Sequence, residues 1–288
     1  MLNLDWCSFV FKPEWLPDQF KVPAFPFDLI YNKQEFLSES INCDPFIFCT
    51  YFFPELYANA DILVIQNSKS GMRYKNTLAL GNDFFIHYDD KIGNKGVYFE
   101  FPSHGLHIMY EWLKINPHED DAFKKLCDTL WNRGCRFSRV DFCKDVKKEG
   151  CIFTPGYLNL AYMQDRIVTK SVSRDFIADG ETGGVDDSRY IFSRRGQTFY
   201  LGSLKTRKKL LRVYDKELES DNKDYPYYRW EVELHSQYAR RVQELVHEGK
   251  QISFKDLVQW FCYVTVEHSE SKHNRARAEV LPAWEEFV

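Results

Sequence analysis

No apolar run in the 288 residues approaches the roughly 20 needed to cross a bilayer, so no membrane contact is expected. The opening stretch from Met1 to Gln19 is broken by Asp5, Lys12, Glu14 and Asp18 and has no apolar centre of the secretory kind. None of the eight cysteines stands in a Cys-x-x-Cys pair, which removes the usual zinc and thiol-redox spacings. Free thiols in a reducing cytoplasm are expected instead. Gly180, Gly183 and Gly184 lack the spacing and the strand-to-helix setting of a phosphate-binding loop. Excess positive charge is missing too: the formal net charge is −4, which excludes bulk electrostatic coating of nucleic acid but not a local basic track. No internal repeat, low-complexity tract or linker interrupts the chain.

Aromatics are abundant, at 17% of residues with 24 Phe and 17 Tyr, and favour pleated surfaces. An α+β fold is expected, with an antiparallel β-sheet core and helices packed on one face. Pro13, Pro17, Pro23 and Pro26 make residues 1–44 read as an irregular N-terminal arm, ahead of one catalytic domain at 45–288. Within it, Phe46–Phe53 reads as a buried strand, and further strands are predicted at Ile62–Gln66, Thr77–Leu80, Phe84–Tyr88 and Gly96–Phe101. His104 and His107 share a helical spacing, but without nearby ligands they read as surface or packing histidines. Helices are predicted over His118–Asn132, Thr154–Met163 and Ser236–His247, and from Ser253 onward.

Three strands carry polar sets. In Phe137–Asp145, side chains of Arg139, Asp141, Cys143 and Asp145 share a face. Asp141 sits in an otherwise apolar strand, so it requires a partner, either an arginine or a metal ion. Gly196–Lys216 reads as two strands joined by a basic turn, with Arg212, Tyr214 and Lys216 alternating onto one face. A phenol flanked by two cations suits attack on a phosphate, because the cations favour the phenolate and hold the anionic ester. The alternative is a rim tyrosine on a half-exposed strand. Tyr227–His235 places Arg229, Glu231, Glu233 and His235 together, where the two carboxylates repel and call for a cation. Arg194, Arg195, Lys205, Arg207, Lys208 and Lys209 crowd the same hairpin and read as an anion-binding face or as a solvated turn.

The sequence blocks Gln197-Thr198-Phe199-Tyr200-Leu201-Gly202-Ser203 and Arg212-Val213-Tyr214-Asp215-Lys216 follow Ser138-Arg139-Val140-Asp141-Phe142 and precede Tyr228-Arg229-Trp230-Glu231. In this order and separation they resemble the replication initiation factor family, which contains rolling-circle plasmid initiators, phage replication proteins and relaxases of conjugative elements. The closing Leu281-Pro282-Ala283-Trp284-Glu285-Glu286-Phe287 is similar too, so the likeness covers roughly residues 45–288. It implies a sequence-specific DNA nickase and strand transferase that joins one strand to Tyr214 through a 5′ phosphate. Tyr200 is the alternative nucleophile. Asp141, Glu231 and Glu233 are implied as ligands for Mg2+ or Mn2+, since no His-hydrophobe-His motif is present, and Arg212 and Lys216 as phosphate clamps. Thr206 stands where many relatives carry serine. Implied partners are origin DNA, single-stranded or as an extruded hairpin, a host helicase and a second copy in a homodimer. A non-catalytic DNA- or protein-binding member, or a nuclease attacking with water, are the competing readings.

Overall fold

Cys7, Phe9 and Phe11 alternate along Asn3–Phe11, and all three are fully buried, so these residues form a strand, β1, facing an apolar core. This overturns the irregular arm expected there, because the prolines begin only at Pro13, just past the strand. The computed structural model describes residues 2–24, 27–32, 64–67, 73–91, 95–169, 174–178, 197–220, 224–266 and 279–287, with isolated positions 34, 45, 49, 50, 53, 54 and 56. They group into two units. One comprises Leu4–Val140 and His235–Gln251; the other comprises Met1–Asn3, Asp141–Leu234 and Ile252–Val288.

In the first unit, β2 (Gln19–Ala24) and β3 (Phe27–Asn32) pair as a hairpin. β4 (Val64–Asn67), β5 (Asn76–Leu80), β6 (Phe84–Tyr88) and β7 (Val97–Phe101) form an antiparallel ladder that continues onto β1. Phe9 stacks on Phe99 at 5.1 Å, and Phe84 meets Phe101 at 4.5 Å and the edge of Trp112 at 4.9 Å. Trp112 closes helix α1 (Leu106–Trp112), and α2 (Ala122–Asn132) buries Phe123, Leu126, Cys127 and Leu130 at helical spacing. Helix α2 starts four residues later than predicted. Cys49 and Thr50 are helical, and the Phe53 N–H donates to the Cys49 carbonyl four residues back, so the expected strand at Phe46–Phe53 is not formed at these positions. Its remaining residues lie outside the described ones.

β8 (Cys135–Lys147) enters the first unit and continues into the second, where the strand order is β10-β11-β12-β13-β8. These are β10 (Arg174–Ala178), β11 (Gln197–Leu201), β12 (Lys209–Asp215) and β13 (Tyr227–His235), all antiparallel where paired from β10 to β13. The predicted hairpin and strands are therefore present. Helix α3 (Pro155–Met163) is capped by Thr154, whose hydroxyl accepts from the Tyr157 N–H. β9 (Ile167–Thr169) pairs with β14 (Cys262–Val264). Helix α4 (Lys216–Ser220) follows β12, α5 (Gln237–His247) follows β13, and α6 (Phe254–Gln259) begins with a Ser253–Asp256 capping box. The last helix, α7 (Pro282–Phe287), brings Trp284 and Phe287 against Trp230 and Phe153.

The fold is α+β on an antiparallel sheet, as the sequence suggested. Cys7, Cys49, Cys127, Cys135, Cys143, Cys151 and Cys262 are free thiols. No helix among the described residues is long and apolar enough to cross a membrane.

Candidate active site

The register of the three strands decides which side chains meet. Thr198 lies opposite Tyr214 and Tyr200 opposite Arg212, while across the other edge Arg212 faces Glu231, Leu210 faces Glu233 and Tyr214 faces Arg229. Because directly opposed residues point to the same side, Tyr200, Arg212, Tyr214, Arg229, Glu231 and Glu233 occupy one face. Asp141 joins them from β8. One carboxylate oxygen from each of Asp141, Glu231 and Glu233 lies within 4.8 Å of the others, and all three residues are buried, at 1%, 1% and 6% exposure. The solvated charged face that a lone strand would suggest is thus a buried acidic cluster.

Three carboxylates at this separation repel by roughly 3 to 4 kcal/mol per pair at an effective dielectric constant of about 20. Arg212 offsets part of this: its Nη2 donates to both oxygens of Glu231, at 2.6 and 2.5 Å. Burial works against the Arg212 charge, but Glu231 outweighs it and holds the guanidinium above its ordinary value. Arg212 answers the Glu231 charge, and the same cluster offers three buried carboxylates at ligand spacing. An all-oxygen donor set without histidine or cysteine matches a hard divalent cation such as Mg2+ or Mn2+.

Tyr214 is 6% exposed, and its hydroxyl donates to Glu231 Oε2 at 3.3 Å. Its ring lies 4.8 Å from the Arg212 guanidinium and 5.8 Å from the Lys216 ammonium. The sequence predicts that these cations favour the phenolate. In the structure the balance runs the other way: burial first, then the Glu231 charge, push the phenol above its ordinary value, and Arg212 and Arg229 only partly oppose them. Arg212 is committed to Glu231, and Lys216 pairs with Glu219 at 2.6 Å. Lys216 also leaves the strand. Asp215 accepts from the Leu218 N–H at 3.1 Å and starts α4, so the alternation ends at Asp215.

Asp145, on the same β8 face, is held by a two-pronged contact from Arg229 at 2.7 and 2.8 Å. Sequence alternation placed both residues but could not pair them, since the register between separated strands is set only by the folded sheet. In the basic turn, Lys205, Arg207 and Lys208 are exposed, whereas Lys209 is half-buried and donates to the Trp260 carbonyl at 2.8 Å. Lys209 is thus tied into the structure. Arg194 and Arg195 lie outside the described residues, as does the glycine-bearing loop at 179–187. His104 contacts the Asn82 carbonyl at 2.8 Å and Asp83 at 3.3 Å, and His107 the His104 carbonyl at 2.7 Å; both serve local packing.

The family model described as replication initiation factor matches residues 135–288, more than half of the chain. The chain belongs to the replication initiation factor family. The matched span contains Asp141, Tyr200, Arg212, Tyr214, Glu231 and Glu233, so the whole cluster lies within the family's own region. A solved structure of a rolling circle replication initiator protein from Geobacillus stearothermophilus is similar in fold, with a TM-score of 0.63 at 16% identity, over 100% of this chain and 95% of that one. That likeness of fold includes residues 1–134, which the family match does not reach. Among curated protein sequences, none matches the chain.

Proposed function

We propose that the chain starts replication by nicking one strand of origin DNA and holding it through Tyr214. The observation that carries this reading is the hydroxyl of Tyr214 donating to Glu231 at the edge of a buried three-carboxylate cluster. In the step proposed, the Tyr214 oxygen forms a bond to phosphorus as the bond from phosphorus to the 3′ oxygen breaks. The phenolic proton passes to the Glu231 carboxylate that already accepts its hydrogen bond, and the departing 3′ oxygen takes a proton from solvent. The products are a 5′-phosphotyrosine linkage and a free 3′ hydroxyl, with the ester bond kept for rejoining.

Asp141, Glu231 and Glu233 would hold a divalent cation, which when bound supplies positive charge against the developing charge on the phosphodiester. Arg212 acts as a positioning residue, fixing the Glu231 carboxylate by two hydrogen bonds from one nitrogen and lying against the Tyr214 ring. Tyr200 stands one residue pair away, opposite Arg212, and is the second candidate for attack.

The test is incubation of the protein with Mg2+ or Mn2+ and single-stranded origin DNA, followed by denaturing electrophoresis. A covalent adduct is expected in wild type and none in Tyr214→Phe. An adduct persisting in Tyr214→Phe and lost in Tyr200→Phe moves the nucleophile to Tyr200. Nicking without any adduct in either form makes the chain a nuclease that attacks with water, and origin binding with neither makes it a binding module.

A further inference from the structure

In the unit formed by Leu4–Val140 and His235–Gln251, a groove of about 360 Å3 opens between the Pro13–Trp15 turn, the end of α2, the start of β8 and the first half of α5. Trp15 and Trp131 line it, and both are half-buried. Three arginines complete it. Arg136 lies on the Trp131 ring at 3.5 Å, with its Nη1 donating to the carbonyls of Trp131 and Cys135 at 3.1 and 2.9 Å. Arg240 stands 5.3 Å from the Trp15 ring and is exposed, as is Arg241.

The charges do not balance. Arg241 pairs with Glu244 at 2.5 Å, but among the described residues no carboxylate forms an ion pair with Arg136 or Arg240. Lys12, 5.1 Å from the Trp15 ring, is already paired with Glu14 at 3.3 Å and adds no free charge. Burial first, with the Arg240 charge adding to it and Cys135 and Glu244 opposing in part, brings the Arg136 guanidinium down to about 10. Glu244 lines the groove too, but it pairs with Arg241, so two guanidinium groups that repel one another remain in excess beside the tryptophan rings and make a site for an anion that also carries an aromatic plane.

We infer that this groove binds single-stranded DNA, a backbone phosphate lying between Arg136 and Arg240 and a neighbouring base against Trp15. An acidic protein segment would use the charge but has no need of the tryptophans. Duplex DNA offers phosphates, but its bases are stacked away from any ring. The inference rests on the reading that the chain handles one DNA strand, and it adds a holding site built from residues outside the carboxylate cluster.

Fluorescence anisotropy of the full chain with a labelled oligothymidylate of about 16 nucleotides tests it without any nicking step. Arg240→Gln with Arg241→Gln, both at exposed positions, is expected to weaken binding about tenfold and to flatten the dependence of log affinity on log salt by roughly 0.7 for each phosphate no longer neutralised. Trp15→Leu is expected to weaken binding by about tenfold with the salt slope unchanged. If Trp15→Leu does not fold, as judged by circular dichroism, the arginine pair alone carries the decision. Affinity and slope equal to wild type in the arginine variant overturn the inference. So does an equal loss of affinity for polyglutamate, which would mark an acidic-protein site, or binding of thymidine monophosphate as tight as the oligomer, which would mark a nucleotide pocket. Wild type that binds the oligomer but never forms an adduct on origin DNA overturns the nicking reading and leaves this one standing.

Discussion

Glu231 connects the groups at the centre of the site. It receives Arg212 on both oxygens and the Tyr214 hydroxyl on one, while lying within 4.8 Å of the Asp141 and Glu233 ligand atoms. A cation bound by the cluster in the folded state alone must stabilise that state by mass action, by about 2.7 kcal/mol at a hundredfold excess over its dissociation constant. Thermal unfolding in Mn2+ against chelator is therefore expected to show a higher midpoint with the ion in wild type, and little or no difference in Asp141→Asn. An undiminished shift in that variant would place the ion elsewhere. The identity of these residues was legible from alternation: an acid in the apolar run of β8 and two acids on one face of β13 both called for positive charge. What alternation could not supply was the assignment of Arg212 to Glu231 and of Arg229 to Asp145. With Arg212 tied to Glu231 and Arg229 to Asp145, these cations only partly oppose the burial and the Glu231 charge that raise Tyr214.

At the scale of elements, the β11–β12 hairpin positions Tyr214, and its turn depends on Gly202. That residue has φ +123, and a β-carbon there would lie 2.5 Å from the Lys209 carbonyl oxygen. Gly202→Ala is expected to destabilise the protein by about 1 to 3 kcal/mol in urea unfolding, with adduct formation falling as the register of Tyr214 against Glu231 loosens. Elements with strong local signals were readable: the hairpin, β13 from its alternation, and α3 and α6 from Thr154 and Ser253 as caps. Cys49 and Thr50 were not, because a short apolar aromatic run has no period of its own to separate strand from helix. Lys216 was misplaced by one residue for a local reason, since Asp215 ends its strand by capping the next helix.

Across the whole molecule, phenols that are buried, as in Tyr214, or half-buried, as in Tyr74, Tyr98 and Tyr110, link fold to pH. Burial is the first cause that raises Tyr74, Tyr98, Tyr110 and Tyr214, with Tyr74 reaching about 12 against an ordinary 10.0. A raised value in the folded state means that the protonated form is favoured by folding. The associated stability is full below pH 10 and is lost as pH rises through 10 toward about 12 and beyond. Urea midpoints are expected to be flat up to about pH 9 and to fall steeply by about pH 11, with phenolate absorbance of these residues developing only as the protein unfolds. Ionisation that precedes unfolding would show the phenols to be solvated.

The sequence by itself determined the sheet-rich character of the chain, the residue types available for chemistry and, within the strands, the face on which each stands, because side-chain alternation is a local property of a strand that ends where the strand does, as at Lys216. Its likeness to the replication initiation factors also pointed to Tyr214. Only the tertiary structure decided that Asp141 reaches Glu231 and Glu233, that those carboxylates are buried, and that Trp15, Trp131, Arg136 and Arg240 line one groove. These residues are up to 225 positions apart in the chain, between Trp15 and Arg240. The physical reason is that strand register and helix packing are set by the contacts of the assembled core, which no single segment carries.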